Sequence, residues 1–240
     1  MYSYLTRDRS GAQIQDMILC KAYCNNNNIE YLGCCYDEFK EVSSYTQNRN
    51  LKNTVKLCKF LNFEIPVLKK SSNVVCCQKK YINALITPEF QKNMREKMEQ
   101  NLIKIKHDES DEFVVAVHIR RGDVTKDGRW FFRYTDNEYY TKIIKYIKDS
   151  KPNAKIYIFS ERNSYESFDE FKNMGCILML DTDLSEAWNY MIQADIFVMA
   201  SSSFSIVPAL FNTTGQILYT WNKYFKPLPT WILSVDKLSF

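Results

Sequence analysis

The sequence predicts an α/β protein whose helices pack on parallel, doubly wound sheets. Short apolar runs alternate with helical patterns, most regularly after residue 113, as βαβ units require. Residues 113–117 are all apolar and are bounded by polar residues, which is typical of a strand buried on both faces. Hydrophobic residues make up 45% and charged residues 25% of the 240 residues, with 6 Gly and 6 Pro, so we expect a globular chain without a long disordered linker.

The first half begins with a predicted strand at 2–6 and a helix at 12–25, in which Ile14, Met17 and Ile18 share one apolar face. Gly11 stands at the turn between them. A glycine there lets the backbone approach a ligand, although an ordinary tight turn would also use it. Further elements are predicted as a strand at 29–35, a helix at 51–61, an extended piece at 65–68 and a strand at 74–78.

A helix with a strong start signal follows. Thr87 is suited to cap its first turn and Pro88 to occupy it, and the pattern continues to about residue 104. The polar, acidic segment 107–112 then predicts a boundary between an N-terminal α/β domain at 1–108 and a C-terminal domain at 109–240.

The second half shows the alternation of a parallel sheet most clearly. Strands are predicted at 113–119, 154–159, 176–180, 196–200 and 217–220, with helices at 137–148, 165–172 and 185–193 and from the serine-rich turn to 211.

Charge and cysteine content restrict the partners and the compartment. The net charge of +4 arises from 32 basic and 28 acidic residues that are interspersed, which suits an anionic small molecule and excludes a nucleic-acid-binding signature. The 8 cysteines include no Cys-x-x-Cys pair, so we expect free buried thiols and a reducing compartment, with a structural zinc site as the alternative. The N-terminus lacks an apolar core of signal-peptide length and no run has the length of a membrane span, which predicts a cytoplasmic protein.

Polar residues follow the predicted strand at 113–119 and form the first candidate anion site. Arg120 and Arg121 are adjacent on an extended chain, so their side chains point to opposite faces and only one of them can readily serve a given ligand. Arginine binds phosphate through two parallel hydrogen bonds. His118 could bond a phosphate or a loop, and Asp123 could hold an arginine or a hydroxyl; a structural ion pair or hydrogen bond is the alternative for each.

The second candidate anion site follows the strand at 196–200. The serines of 201–205 stand where a helix begins, and a helix N-terminus offers backbone N–H groups to an anion. Ser203 and the backbone amide of Phe204 are the best placed donors, and a plain serine-rich helix cap is the alternative. Two anion sites in one sheet favour a diphosphate ligand.

The pattern His118-x-Arg120-Arg121-x-Asp123 after an apolar strand resembles a motif of the fucosyltransferase superfamily, which includes α1,2-, α1,6- and protein-O-fucosyltransferases. The segments 157–160, 193–198 and 202–205 resemble later parts of the same family, so the likeness covers roughly 113–211. It implies a GT-B-like architecture, in which two Rossmann-like domains with parallel sheets face each other across a cleft. The C-terminal domain would bind a nucleotide sugar and the N-terminal domain would lie on the acceptor side.

The resemblance also implies roles for single residues. Arg120 would hold the β-phosphate of the donor, and the serine turn would add phosphate contacts. Glu186 or Asn189 would bind the base or the ribose. The remaining donor-binding residues implied in this way are His118, Arg121, Asp123, Ser202, Ser203, Phe204 and Gly11.

The chemistry implied is that of an inverting glycosyltransferase, which moves fucose from GDP-fucose to a glycan hydroxyl. Arg120 would stabilise the charge that grows on the departing diphosphate. Asp127, Asp123 and Asp16 are the candidates for the base that accepts the acceptor proton. No carboxylate cluster has metal-ligand spacing, so we expect neither a metal nor another cofactor. The alternatives are another donor, such as UDP-xylose, and a non-catalytic module that binds nucleotide or glycan.

Overall fold

The computed structural model describes residues 1–5, 8–36, 44–66, 74–75, 77, 81–105, 112–162, 166–220 and 225–234. Two compact units divide the chain: Met1–Leu102 with Asn222–Pro229, and Ile103–Trp221 with Thr230–Phe240. Each unit contains a parallel sheet with helices, so the α/β class with parallel sheets is confirmed. The domain limits 1–108 and 109–240 stay a prediction.

The described part of unit 1 contains a three-stranded parallel sheet in the order β2-β1-β3. The predicted first helix is confirmed and buries Ile14, Met17 and Ile18. The elements are β1 (Tyr2–Leu5), α1 (Ser10–Asn26), β2 (Cys34–Tyr36), α2 (Ser44–Phe60), β3 (Val74–Val75), α3 (Ile82–Leu85) and α4 (Pro88–Met98).

Two unit 1 boundaries differ from the sequence prediction for identifiable reasons. Strand β2 begins at Cys34 and not at 29, because Gly33 has a φ of +97° that breaks the extended chain just before it. Helix α4 ends at Met98 and not at 104. A 3₁₀ turn, Glu99–Asn101, follows it, and the Asn101 side chain donates to the carbonyls of residues 59 and 60 at 3.1 Å each.

Other unit 1 elements were predicted with mixed success. The Thr87 cap is confirmed, since its hydroxyl accepts a hydrogen bond from the Phe90 N–H at 3.1 Å. Helix α2 begins at Ser44, seven residues before its predicted start, and α3 was not predicted. Residues 65–66 form no strand, while the rest of the extended piece predicted at 65–68 lies outside the described residues.

The described part of unit 2 contains a six-stranded sheet in the order β6-β5-β4-β7-β8-β9, and every pairing is parallel. The predicted strands are confirmed within one or two residues at most ends, and the short β9 was missed. The elements are β4 (Val114–His118), α5 (Asn137–Ser150), β5 (Lys155–Ser160), α6 (Asp169–Asn173), β6 (Ile177–Leu180), α7 (Leu184–Gln193), β7 (Ile196–Val198), α8 (Ser203–Phe211), β8 (Gln216–Tyr219) and β9 (Ile232–Leu233).

This strand order has a switch point at its centre. From β4 the chain builds outward through β5 and β6, and then returns to add β7 on the other side of β4. Open parallel sheets of this order bind ligands at the carboxyl ends of the two central strands, where the loops diverge to opposite faces.

The core of unit 2 lies between this sheet and its helices. All residues of β4 are buried, which confirms the strand predicted to be covered on both faces. Helix α5 contributes Ile143, Ile144 and Ile147 to the same apolar cluster as Val115 and Val117. A buried strand between two sheet neighbours is a rigid support for the loop that follows it.

The described cysteines are free thiols, and all of them except Cys77 are buried. Burial raises the pKa of Cys34 and of Cys58 to about 12, which keeps both thiols protonated near neutral pH. Within the part of the chain that the structure describes, no helix has the length and apolar character needed to cross a membrane.

Candidate functional site

The two predicted anion sites extend from the two strands at the switch point. Strands β4 and β7 pair in parallel, with Val117 opposite Val198, so their carboxyl ends lie at the same edge of the sheet. Residues 118–123 leave from β4 and residues 200–205 leave from β7. The topology therefore brings together two segments that are about eighty residues apart in sequence, at the position where such sheets bind ligands.

His118 connects these two segments. Its Nδ1 lies 2.5 Å from the Ser205 hydroxyl, which also accepts a hydrogen bond from the Ala200 N–H at 3.0 Å. The His118 ring packs on Phe204 with 5.2 Å between ring centroids. His118 is buried, so its observed contacts hold the first turn of α8 against the end of β4. Its predicted contact with the donor stays a prediction.

The N-terminus of α8 is capped by its own serine. The Ser202 hydroxyl accepts a hydrogen bond from the Phe204 N–H at 3.2 Å, and Ser203 is the first residue of the helix. The Trp188 indole donates to the Phe204 carbonyl at 3.1 Å and fixes the turn from the α7 side. The amide predicted as a phosphate donor is thus occupied by a cap. A phosphate that uses the Phe204 amide would have to replace the Ser202 hydroxyl.

Arg121 is buried and is bonded on several sides. Its guanidinium pairs with Glu166 and donates to the Thr135 carbonyl at 3.0 Å and to the Asn137 side chain at 2.6 Å. It also stacks over the Tyr134 ring at 4.4 Å. These contacts give Arg121 a bracing role, so its predicted donor-binding role stays a prediction that the geometry disfavours.

Arg120 has different surroundings. Its guanidinium pairs with Asp123, three residues further along, and the two side chains are 12% and 41% exposed. The sequence predicts that only one of the adjacent arginines can readily serve a ligand, and their contacts differ accordingly. Arg121 braces the fold, while Arg120 pairs with a partly exposed carboxylate. Arg120 is therefore the better placed of the two to bind a phosphate.

Gly122 lies between the two charged pairs in a conformation that favours glycine, with φ +81°. A Cβ at this position would collide with the carboxylate of Glu161, which follows the last residue of β5. The neighbouring Ser160 hydroxyl donates to the Ile119 carbonyl at 2.9 Å and fixes this junction. Strand β5 thus brings another acidic side chain to the loop, one that sequence reasoning did not single out.

The residues predicted to contact the nucleoside differ in their surroundings. Asn189 is buried, and its side-chain amide accepts from the Ile103 N–H at 3.0 Å and donates to the Ile103 carbonyl at 2.8 Å. These paired bonds favour a structural role. Glu186 lies in the first turn of α7, after the Asp183 side chain that caps this helix, and it is exposed. Glu186 is thus the better placed candidate.

The candidate bases are dispersed. Asp127 is exposed in the loop that follows Gly122, and Asp123 pairs with Arg120 as described. Gly11 and Asp16 both belong to α1 of unit 1. The catalytic roles of Asp127, Asp123 and Asp16 and the donor role of Gly11 stay predictions.

Sequence reasoning gave no role to several residues that organise the loops. Ser205 stands within the predicted serine turn, yet its distance from His118 in sequence hides their bond. Glu166 is 45 residues from its partner Arg121, in a segment without a motif. Only Glu161 carries a usable signal, because it directly follows a predicted strand and so reaches the same sheet edge.

Comparison with known proteins identifies a family that the sequence matches. A family model described as Glycosyl transferase family 11 matches residues 78–225, which is more than half of the chain and includes both anion-site segments. A crystal structure of POFUT1 in complex with GDP aligns with 14% sequence identity and a TM-score of 0.31, over 85% of this chain and 66% of that chain. A search of curated proteins found no significant match. The family match confirms the resemblance to fucosyltransferases.

Proposed function

Because this chain belongs to glycosyl transferase family 11, we propose that it transfers fucose from GDP-fucose to a hydroxyl group of a glycan. One observation carries the proposal: Arg120, which pairs with a partly exposed carboxylate, and the N-terminus of α8 extend from the two strands at the switch point of the unit 2 sheet. A diphosphate has one negative group for each of these features, since arginine binds phosphate through paired donors and a helix N-terminus offers backbone N–H groups.

Arg120 is the proposed phosphate ligand. Sugar transfer passes through an oxocarbenium-like state while negative charge grows on the departing diphosphate. An arginine that is already held in place by Asp123 meets this charge without reorganisation and binds it more strongly as it develops. Such preorganised electrostatic stabilisation lowers the barrier of the transfer step.

The first turn of α8 is the proposed second phosphate contact. The Ser203 hydroxyl and the backbone amides of Ser203 and Phe204 belong to this turn, which His118 ties to β4 through Ser205. The phosphate would replace the Ser202 hydroxyl as the partner of the Phe204 amide. The positive end of the helix dipole adds a favourable field within the first turn. His118 would then support phosphate binding through Ser205 by fixing the orientation of the turn.

The remaining details of the reaction are part of the same proposal. We propose inversion at the anomeric carbon without a metal, with Asp127, Asp123 or Asp16 as the base for the acceptor hydroxyl. In a GT-B arrangement, unit 2 would hold the donor with Glu186 near the base or ribose, and unit 1 would serve the acceptor side. Arg120 and the N-terminus of α8 can together stabilise the charge of a diphosphate in place of a metal ion.

A ligand panel tests the proposal. We expect GDP to raise the melting temperature of the purified protein more than UDP does, and GDP-fucose to release GDP in the presence of a glycan acceptor and EDTA. Stabilisation by UDP alone would point to a donor such as UDP-xylose. Nucleotide binding without turnover of any donor would favour a non-catalytic module, and stabilisation by no nucleotide would overturn the proposal.

A further inference from the structure

An exposed aromatic cluster follows the Arg120 loop. Phe131 is 61% exposed and Phe132 is 39% exposed, and Phe132 meets Trp130 edge-on at 5.7 Å between ring centroids. The guanidinium groups of Arg129 and Arg133 lie over the Trp130 ring at 5.1 and 5.3 Å. We call these five residues, 129–133, the aromatic platform. Large apolar side chains exposed next to one another indicate a binding surface.

Backbone hydrogen bonds hold the platform in shape. The Phe131 N–H donates to the Gly128 carbonyl at 3.0 Å, and the Arg133 N–H donates to the Trp130 carbonyl at 2.9 Å. Phe131–Arg133 accordingly forms a 3₁₀ turn. The buried Arg121 bonds the Thr135 carbonyl at 3.0 Å and so anchors the end of the loop. Rings presented by an ordered turn bind a ligand with little loss of conformational entropy.

The platform belongs to the ligand edge of unit 2. Its loop leaves from the carboxyl end of β4 directly after Asp123 and returns to the sheet through α5, so both its ends are fixed at the edge from which Arg120 and α8 extend. Loops at this edge of a parallel sheet build the ligand site. None of the donor contacts proposed above uses residues 129–133.

We propose that the aromatic platform binds the acceptor saccharide of the transfer reaction, an inference that rests on the proposed function. One face of a pyranose ring carries several C–H groups, which pack on the electron-rich face of an aromatic ring. The flanking guanidinium groups can donate to ring hydroxyls or to a carboxylate of the sugar. The exposed Phe131 and Phe132 rings and the adjacent multidentate donors match the two sides of a carbohydrate, one apolar and one polar.

The size of the platform favours a saccharide over a protein partner. A fully buried aromatic side chain covers about 150–250 Å², so three partly exposed rings offer a few hundred Å² at most. A specific protein interface buries about 800 Å² on each partner. The area of the platform suits one or two sugar rings.

Direct glycan binding tests the inference. Labelled protein with GDP would be applied to an immobilised panel of neutral and acidic oligosaccharides, as the parent and as the F131A/F132A double variant. On the glycans that bind the parent protein, we expect the binding signal of the double variant to be at least tenfold lower. F132L, which keeps apolar bulk without a π-face, should show an intermediate loss. Tyr146→Ala, which removes a 42% exposed ring from α5, is the matched control and should leave binding unchanged.

The proposed saccharide binding would be overturned if the parent retained no glycan, or if the double variant bound glycans within twofold of the parent. It would also be overturned if the double variant lost self-association or vesicle binding in place of glycan binding. A melting curve with and without GDP shows that each variant is folded. GDP release from GDP-fucose by the parent tests the proposed function separately. If glycan binding depends on the platform but no donor is turned over, the proposed transfer reaction is wrong, while saccharide binding by the platform is supported.

Discussion

Replacing the adjacent arginines one at a time should separate bracing from ligand binding. Arg121→Ala removes the partner of Glu166 and leaves the Thr135 carbonyl and the Asn137 side chain without their donor. Breaking a buried ion pair from one side costs about 3–5 kcal/mol, and since the Glu166 side chain is 18% exposed and can regain water, we expect about 3 kcal/mol. For a chain of this size that lowers the melting temperature by about 6–12 °C.

Arg120→Ala should affect GDP binding more than the stability of the free protein. Its pair with the 41% exposed Asp123 is less buried than the Arg121–Glu166 pair, so the melting temperature of the free protein should fall less than in Arg121→Ala. GDP binding should weaken by about 2–5 kcal/mol, as for other desolvated charge pairs, which is about 30-fold or more in the dissociation constant. Thermal unfolding and GDP titration of both variants measure the two effects. A folded Arg121→Ala protein that loses GDP affinity as strongly as Arg120→Ala would refute this division of roles.

Three further predictions concern the residues around the site. Ser205→Ala should weaken GDP binding about as much as His118→Ala, because His118 acts through the Ser205 hydroxyl. Isothermal titration measures the GDP dissociation constant of both variants, and a much larger effect of His118→Ala would mean that His118 contacts the nucleotide directly. Gly122→Ala should lower the free energy of unfolding by at least about 1–2 kcal/mol, because an alanine is strained at φ +81° and its Cβ meets the Glu161 carboxylate. Urea unfolding measures this change, and an unchanged midpoint would contradict the local geometry. Cys77 should be alkylated first among the described cysteines near neutral pH, because a hydrogen bond with Cys20 lowers its pKa and favours the reactive thiolate; Cys20→Ala, which removes the donor, should slow the reaction, and tandem mass spectrometry that finds another described thiol modified first would disprove this.

The sequence was most informative where local patterns and tertiary structure agree. Strand β4 was predicted because its residues are apolar on both faces, and both faces are covered in the sheet. Helix α4 was given its correct start by Thr87 and Pro88, which act within one turn. Its end was predicted six residues too late, because the chain leaves the helix for a bond between Asn101 and the end of α2, and such a contact has no local signature.

The candidate site shows the same distinction. The alternation of side chains along an extended chain predicted that only one arginine could serve a ligand, and this follows from backbone geometry alone. Which of the two braces the fold depended on Glu166, which reaches Arg121 only through the tertiary structure. Likewise, the serine turn was predicted from its position before a helix. That the Ser202 hydroxyl would accept the hydrogen bond of the Phe204 amide depends on the orientation of the Ser202 side chain, which the sequence does not determine.

The segment Asn222–Pro229 belongs to unit 1 although it follows nearly all of unit 2 in sequence. Its Phe225 and Leu228 are buried. During translation most of unit 1 leaves the ribosome first, yet its last apolar residues arrive more than a hundred residues later, after the central strands of the other sheet. Synthesis at about 5–20 residues per second gives a delay of several seconds. We therefore expect nascent chains that end before residue 225 to contain an N-terminal unit that is open to proteases and chaperones.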